Sequence, residues 1–196
     1  MALTDLFGGA IKQQLISMVS QKLGINEQMA TTAVNFALPL LLNGLAKNSS
    51  TQEGANSLHQ AVTNDHDGSI LDNLAGFMQN SEQGSGAGIL KHLLGANQGI
   101  ATQAVSQSSG LDSNQTSQLM QMLAPVLMGS LGAQTKNERL DATALSGLLR
   151  NATQEQEQQA PDAMNMISKL LDSNGDGNSM DDVTKIGMGL LNNFLK

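Results

Sequence analysis

The sequence contains an internal repeat, which constrains the fold more than any other feature. A Val-Ser-Gln triplet followed by a glycine starts at Val19 and again at Val105, and the two glycines, Gly24 and Gly110, are 86 positions apart. Further pairs at this offset are Pro39 and Pro125, Leu41 and Leu127, and Leu45 and Leu131. Self-similarity at one fixed offset indicates two copies of a single structural unit.

The repeat divides the chain into three parts. Residues 1–80 form the first helical unit, residues 81–88 a connector, and residues 89–196 the second unit. The connector is rich in Gly and Ser, which is typical of a flexible link. The second unit is longer because it carries a polar insertion at about residues 151–171.

Composition and spacing both predict helices in each unit. The chain has four Phe and no Tyr, Trp or Cys, so its apolar residues are mainly Leu, Ala, Met, Ile and Val, a mixture more typical of helices than of strands. Gly24 and Gly110 are expected to end a helix. Asn26 and Asp112 are expected to cap the next one, with Gln115 completing a capping box. The first helix is indicated by apolar residues on one helical face at Ile11, Leu15, Met18, Val19 and Leu23.

Pro39 and Pro125 fall inside the next apolar segments, FALPLLL and MLAPVLM. Because proline removes a backbone hydrogen bond and clashes with the preceding turn, each is expected to kink its helix or split it in two. Both segments are apolar on nearly every face, which predicts burial. The expected fold is therefore all-α, with two tandem duplicated multi-helix units packed through proline-kinked apolar helices.

Charge and composition exclude several classes of protein. A formal net charge of −7 with only ten Lys and Arg argues against a nucleic-acid-binding protein. Without cysteine the chain has no disulfide, thiolate or Zn–sulfur chemistry. The N-terminus lacks a signal-peptide pattern, and the longest apolar run, residues 36–42, is too short to cross a bilayer. We therefore expect a cytoplasmic protein without a transmembrane segment.

The stretch LLDSNGDGNSMDDV, residues 170–183, resembles part of an EF-hand calcium loop. Oxygen-bearing side chains alternate in its first half and Gly177 stands at the turn, but Met180 and Val183 occupy later ligand positions. The candidate calcium ligands are Asp172, Asn174, Asp176, Asn178 and Asp182. Helix capping is the alternative, since Asp and Asn before Gly favour turns and acidic residues suit a helix N-terminus.

A poorer copy of the same pattern occurs in the first unit, where Asp67-Gly68 corresponds to Asp176-Gly177. Its oxygen-bearing residues are Thr63, Asp65, Asp67, Ser69 and Asp72. Capping accounts for nearly all of this first copy.

No catalytic constellation is present in the sequence. The chain has no Gly-x-Ser-x-Gly elbow and no phosphate-binding glycine loop, and its three histidines lack a metal-ligand spacing. We expect His66 to be an exposed loop residue and His92 to be half-buried on a helix. Of the methionines, Met120, Met122 and Met128 are expected in the core.

The segments HDGSILDNLAGFM, GAGILKHLLG, VSQSSGLD and MLAPVLMGSLG, in this order, resemble the YidB-like bacterial proteins of unknown function. The resemblance covers most of the chain. It implies a helical bacterial protein, but it supplies no activity and no catalytic residues.

These observations favour a non-enzymatic scaffold or interaction protein that self-associates or docks a protein partner. The surface expected to do so is formed by Met- and Leu-rich amphipathic segments within residues 163–196, including Met164, Met166, Met180 and Met188. The alternative is a calcium-responsive module that uses the loop at residues 172–182. No cofactor is required, with calcium the one candidate.

Overall fold

The computed structural model describes Leu3, residues 9–79 and residues 85–159, and these residues form helices and no strand. The all-α prediction is confirmed at this level. Two short 3₁₀ helices cover Ser69–Asn73 and Gly95–Asn97. The α-helices are α1 (Ala10–Leu23), α2 (Glu27–Asn48), α3 (Gln52–Asn64), α4 (Leu74–Gln79), α5 (Gly86–Leu94), α6 (Gln98–Ser109), α7 (Ser113–Glu138) and α8 (Ala142–Gln159).

The helix ends predicted from sequence are confirmed. Gly24 and Gly110 both adopt the left-handed conformation, with φ of 63° and 75°, and end α1 and α6. The Asn26 side chain accepts a hydrogen bond from Met29 N, and Asp112 with Gln115 forms a capping box at the start of α7. Short-range chemistry therefore sets the boundaries of the helices that build the core.

The turns that follow α1 and α6 are closed by the same kind of hydrogen bond. The Ser20 hydroxyl donates to the carbonyl oxygen of Ile25 at 2.6 Å, and the Ser106 hydroxyl donates to that of Leu111 at 2.6 Å. Each bond joins the last turn of one helix to the residue just before the N-cap of the next helix. The entry angles of α2 and α7 are thus fixed by identical contacts.

The helices α2 and α7 form the centre of the molecule. Each continues as one helix through its proline, Pro39 or Pro125, so the alternative of two separate helices is not observed. Met120, Met122 and Met128 are buried in the core, as predicted. One hydrophobic cluster contains residues from both predicted units.

Each central helix packs against helices from the other part of the chain. α2 packs against α6 and α8, while α7 packs against α3 and also against α5 of its own part of the chain. Contacts between residues 9–79 and residues 85–159 are therefore extensive. Because every long helix is covered by a helix from the other part of the chain, the described residues share one core.

The predicted connector, residues 81–88, extends too far at its C-terminal end, because α5 already begins at Gly86. A side chain at Gly86 would collide with the carbonyl oxygen of Gln121, so this glycine allows α5 to lie directly against α7. Sequence reasoning treated the glycine as a source of flexibility. The structure uses it for close packing of two helices.

By length and mean hydropathy, α2 is the one helix of the described part that would be able to cross a membrane. Its most apolar window has a mean hydropathy of 1.4 and is 61% buried in the molecule. Burial in a helical core produces the same apolar composition as a membrane span. The helix therefore gives no separate indication of a membrane location.

Candidate functional site

Helix α3 separates two clefts, of which the larger, the apolar cleft, has a volume of about 690 Å³. It lies between the C-terminal end of α2, one side of α3, and α5. The Asn48 amide fixes two of its walls by donating to the carbonyl oxygens of His92 and Leu93, both at 3.1 Å. The lining residues include Leu45, Leu58, Ala61, Ile89, Leu93 and Met128.

Apolar side chains remain partly exposed in this cleft. Leu58 and Ile89 pack against the edge of the core but are not fully covered by the described residues. Gly88 lines the cleft on the α5 side, and a side chain there would meet open space. Gly88 therefore leaves room for an approaching backbone. The room has a cost, because glycine makes a helix less stable than alanine does.

Two histidines line the apolar cleft, and both differ from their prediction. His66 lies in a loop as predicted but is half-buried, and His92 lies on a helix as predicted but is exposed. Burial lowers the pKa of His66, partly opposed by the charge of Asp65. The described residues contain no group of three or more His, Cys, Asp or Glu side chains able to hold a metal ion.

The smaller cleft, the polar cleft, has a volume of about 450 Å³ and lies on another side of α3. His59 lines it, and its Nε2–H donates to the carbonyl oxygen of Leu140 at 2.9 Å, which joins α3 to the turn before α8. The lining residues are His59, Val62, Thr63, Asp67, Gly132, Thr135, Lys136, Arg139 and Leu140.

Asp67 belongs to the first Asp-Gly turn, in which its side chain bonds back to the backbone of the turn itself. Its carboxylate accepts a hydrogen bond from Ser69 N at 3.0 Å, and Gly68 has a φ of 96°. The hydrogen bonds from Ser69 are the main cause of the lowered pKa of Asp67, and the charge of Lys136 adds to them. The contacts of Asp67 thus support a turn-forming role, whereas the 3₁₀ helix that follows has Gly68 at its N-cap and no side-chain capping bond.

The turn is pressed against α7 at two glycines. A side chain at Gly132 would collide with the carbonyl oxygens of His66 and Val62, and one at Gly129 would collide with Ile70. The close approach brings the end of α3 onto α7 and so forms one wall of each cleft. Gly132 lines the polar cleft, and His66, whose carbonyl oxygen lies against it, lines the apolar cleft.

Two basic residues, Lys136 and Arg139, lie at the end of α7 and line the polar cleft. Arg139 is the one residue other than glycine with positive φ in the described part, at φ 54° and ψ 46°. Next to them, Thr135 is 5% exposed, and its hydroxyl has no hydrogen-bond partner among the described residues. A buried polar atom without a partner is uncommon in folded proteins and calls for an explanation.

The candidate calcium ligands Asp172, Asn174, Asp176, Asn178 and Asp182 lie outside the described residues. The Met-rich segments at residues 163–196 and most of the predicted insertion, residues 160–171, lie outside them as well. The calcium and interface predictions on these segments stay predictions.

Sequence reasoning did not find the cleft residues, although weak signals exist. Leu58 and Ala61 are three positions apart on α3 and form a short apolar face. Lys136 and Arg139 have the same spacing at the end of α7, in a chain of net charge −7. Neither pattern shows what lies opposite, because the opposing walls come from distant parts of the chain.

Comparison with known proteins places the chain by family. The model of a family described as bacterial protein of unknown function (DUF937) matches residues 5–134. This agrees with the YidB-like resemblance. No curated protein and no solved structure matches. The matched range includes α2, most of α7 and the residues that line the apolar cleft, and the chain belongs to this family of bacterial proteins of unknown function.

Proposed function

We propose that this protein is a non-enzymatic, cytoplasmic helical interaction protein that self-associates through the apolar cleft. The observation that supports this most is the row of partly exposed apolar side chains, Leu58 and Ile89 among them, in a cleft that described residues leave uncovered. Apolar surface exposed in a concave site favours association, because burial removes it from water.

The occupant we propose is the C-terminal segment, residues 183–195, of a second copy of this chain. Its sequence predicts an amphipathic helix, whose apolar face consists of Val183, Ile186, Leu190, Leu191 and Phe194. A helix with such a face docks into an apolar groove through anchors spaced by three or four residues. Gly88 leaves the space that a close helix needs.

The same cleft and the same segment occur in every copy, so two chains can exchange segments reciprocally. Such an exchange closes a two-fold dimer, which is the commonest arrangement of soluble homo-oligomers. Exchange of a terminal segment between identical chains uses the same contacts between segment and cleft that one chain could make with itself. It requires only that the connecting residues reach the partner. The proposal therefore needs no second protein.

We further propose that the two halves of the chain are copies of one helical unit. The matching bonds from Ser20 and Ser106, and the matching left-handed glycines after α1 and α6, support this. The reciprocal packing of α2 on α8 and of α7 on α3 is what two exchanged copies would produce.

The test of self-association is light scattering on a sizing column over a concentration series. The native chain is expected to dimerise, whereas Leu58→Asp and Ile89→Asp in the cleft, and Leu190→Asp in the segment, are expected to be monomeric. Gln107→Asp, at an exposed position of α6 outside the cleft, is the matched control and should dimerise normally.

Mixing variants then separates exchange between chains from docking within one chain. A Leu58→Asp copy retains an intact segment and a Leu190→Asp copy retains an intact cleft, so the mixture should form heterodimers with one working contact. A native chain that remains monomeric, or dimers that persist in both cleft variants, would exclude the proposal.

A calcium-responsive module remains the second candidate, supported by sequence alone. Asp172, Asn174 and Asp176 place three oxygen-bearing side chains at alternate positions, which capping of one helix does not require. Calcium should then raise the melting temperature of the native chain and leave that of Asp176→Ala unchanged. Asp67→Ala, in the first Asp-Gly turn, is the matched control and should keep the response.

A further inference from the structure

The polar cleft carries an excess of positive charge in a chain that is acidic overall. Lys136 and Arg139 line it together with one carboxylate, that of Asp67. This carboxylate accepts the backbone hydrogen bond of Ser69 and also interacts with the charge of Lys136, so two cations stand against one anion in the lining. The formal net charge of the whole chain is −7, which makes a cationic concavity unusual for this protein.

The position of Arg139 is costly for the backbone. In the described residues, a left-handed residue directly after a helix is otherwise glycine, as at Gly24 and Gly110. A residue with a side chain is strained in this conformation, and glycine would remove that strain. Strain of this kind is typical of positions retained for a function of the side chain.

The helix end itself does not account for all of these features. Basic residues suit the negative end of a helix dipole, and this explains a cation near the end of α7. However, the carbonyl oxygen of Thr135 in that last turn already accepts hydrogen bonds from the backbone N–H groups of Arg139 and Leu140. The dipole also does not explain why the buried Thr135 hydroxyl has no hydrogen-bond partner among the described residues.

We propose that the polar cleft is a binding site for a small oxyanion, the carboxylate or phosphate group of a small molecule. Lys136 and Arg139 supply the positive charge, and Thr135, whose buried hydroxyl has no hydrogen-bond partner among the described residues, lines the same cleft and supplies a further donor. Arg and Lys donors form their strongest hydrogen bonds with such charged oxygens. The site is separate from the apolar cleft and does not depend on self-association.

The cleft volume and its single acidic group restrict the ligand. A volume of about 450 Å³ suits a small metabolite. Asp67 repels a second negative group on its own side, so the ligand presents its charged oxygens towards the end of α7. A hydroxyl or ammonium group on the ligand would suit the Asp67 side.

The test uses the full chain and two probes, sodium phosphate and sodium succinate, titrated at constant ionic strength against sodium chloride. Binding should raise the melting temperature of the native chain with a saturable dependence on the probe. If only phosphate raises the melting temperature, the ligand carries a phosphate group. If only succinate does, it carries a carboxylate.

Arg139→Gly is the decisive variant, because strain and binding predict opposite changes. It should raise the melting temperature without probe, since glycine tolerates the left-handed conformation, and lower the affinity for the probe by about tenfold or more. Lys136→Ala should weaken binding by a similar factor, and Lys136→Arg should retain it. Arg150→Ala, an exposed cation of α8 outside the cleft, is the matched control and should bind normally.

The proposal is overturned if neither probe gives a saturable shift beyond that of sodium chloride. It is equally overturned if Arg139→Gly and Lys136→Ala keep the full response, because the cations of the cleft would then play no part. Loss of the response in both variants, with binding retained in Lys136→Arg and Arg150→Ala, supports it.

Discussion

The two sides of α3 face surfaces of opposite chemistry, although they belong to the same thirteen-residue helix. Leu58 and Ala61 line the apolar cleft, while His59 and Thr63 line the polar cleft. Neighbouring residues of an α-helix point in directions about 100° apart, so adjacent positions such as Leu58 and His59 can serve different sites. One short helix thus supplies a wall to both candidate sites.

The difference between the clefts comes from what packs opposite α3. On the apolar side the opposing wall is α5, whose Ile89 and Leu93 are apolar. On the polar side it is the last turn of α7 and the residues after it, where the helix ends and polar groups are exposed. A helix flank and a helix end present different chemistry even when both pack on the same neighbour.

The largest expected effect is loss of both clefts together, through Gly132→Ala. The added methyl group would collide with the backbone carbonyl oxygens of His66 and Val62, which cannot move as a flexible side chain can. Overpacking of this kind is expected to lower the free energy of unfolding by about 3 kcal/mol. Urea unfolding followed by circular dichroism measures the change.

Gly147→Ala is the matched control, because a side chain there meets open space in the middle of α8. It should raise the free energy of unfolding by about 1 kcal/mol, the usual gain of alanine over glycine in a helix. Equal effects of the two substitutions would show that the end of α3 is not pressed against α7.

The two clefts also show how far sequence reasoning reaches. The all-α class and the caps at Asn26 and Asp112 are predictable, because they depend on composition and on residues three or four positions apart. The clefts are not predictable, because Gly132 meets His66 only after the chain has folded. The exposures of His66 and His92 were mispredicted for the same reason, since distant helices decide them.

A smaller effect is expected from Thr135→Val, which removes the buried hydroxyl that lacks a partner in the described part of the chain. Without an oxyanion, replacing this group by a methyl of similar shape should raise the free energy of unfolding by about 1 kcal/mol. Thr116→Val is the matched control on the same helix, because its buried hydroxyl donates to the carbonyl oxygen of Asp112 at 2.8 Å.

Thr116→Val should therefore lower the free energy of unfolding by about 1 kcal/mol, the opposite sign. The pair sharpens the contrast between a satisfied hydroxyl and an unsatisfied one within α7. If Thr135→Val is destabilising to the same extent as Thr116→Val, the Thr135 hydroxyl already has a partner and the polar cleft loses one of its three donors.

Independence of the two clefts is the next expectation. Leu58→Asp should abolish dimerisation and leave oxyanion binding within about twofold of the native affinity. Arg139→Gly should weaken oxyanion binding and leave dimerisation unchanged. Sites that share no lining residue usually respond to substitutions additively. Light scattering and the melting-temperature titration, applied to both variants, measure the two properties separately. Loss of both properties in either variant would mean that α3 transmits a change from one side to the other.

The smallest effect concerns pH and the apolar cleft alone. Burial lowers the pKa of His66, so the folded state binds its proton less readily than the unfolded state, in which the pKa of histidine is about 6.5. Below that pH the unfolded state takes up more protons, and the free energy of unfolding falls as the pH falls from 6.5 towards the folded-state pKa. Well above pH 6.5 His66 is neutral in both states and causes no loss of stability.

Comparing the native chain with His66→Gln isolates the pH-dependent contribution of His66 to the free energy of unfolding, because glutamine is polar but does not titrate. Between pH 7.5 and pH 5.5 the native chain should lose more stability than the variant, with urea midpoints as the measurement. Covering the apolar cleft with the C-terminal segment of a second chain would desolvate His66 further, so the pH-dependent loss should be larger in the dimer than in monomeric Leu190→Asp. Equal slopes in dimer and monomer would place His66 away from the surface that self-association covers.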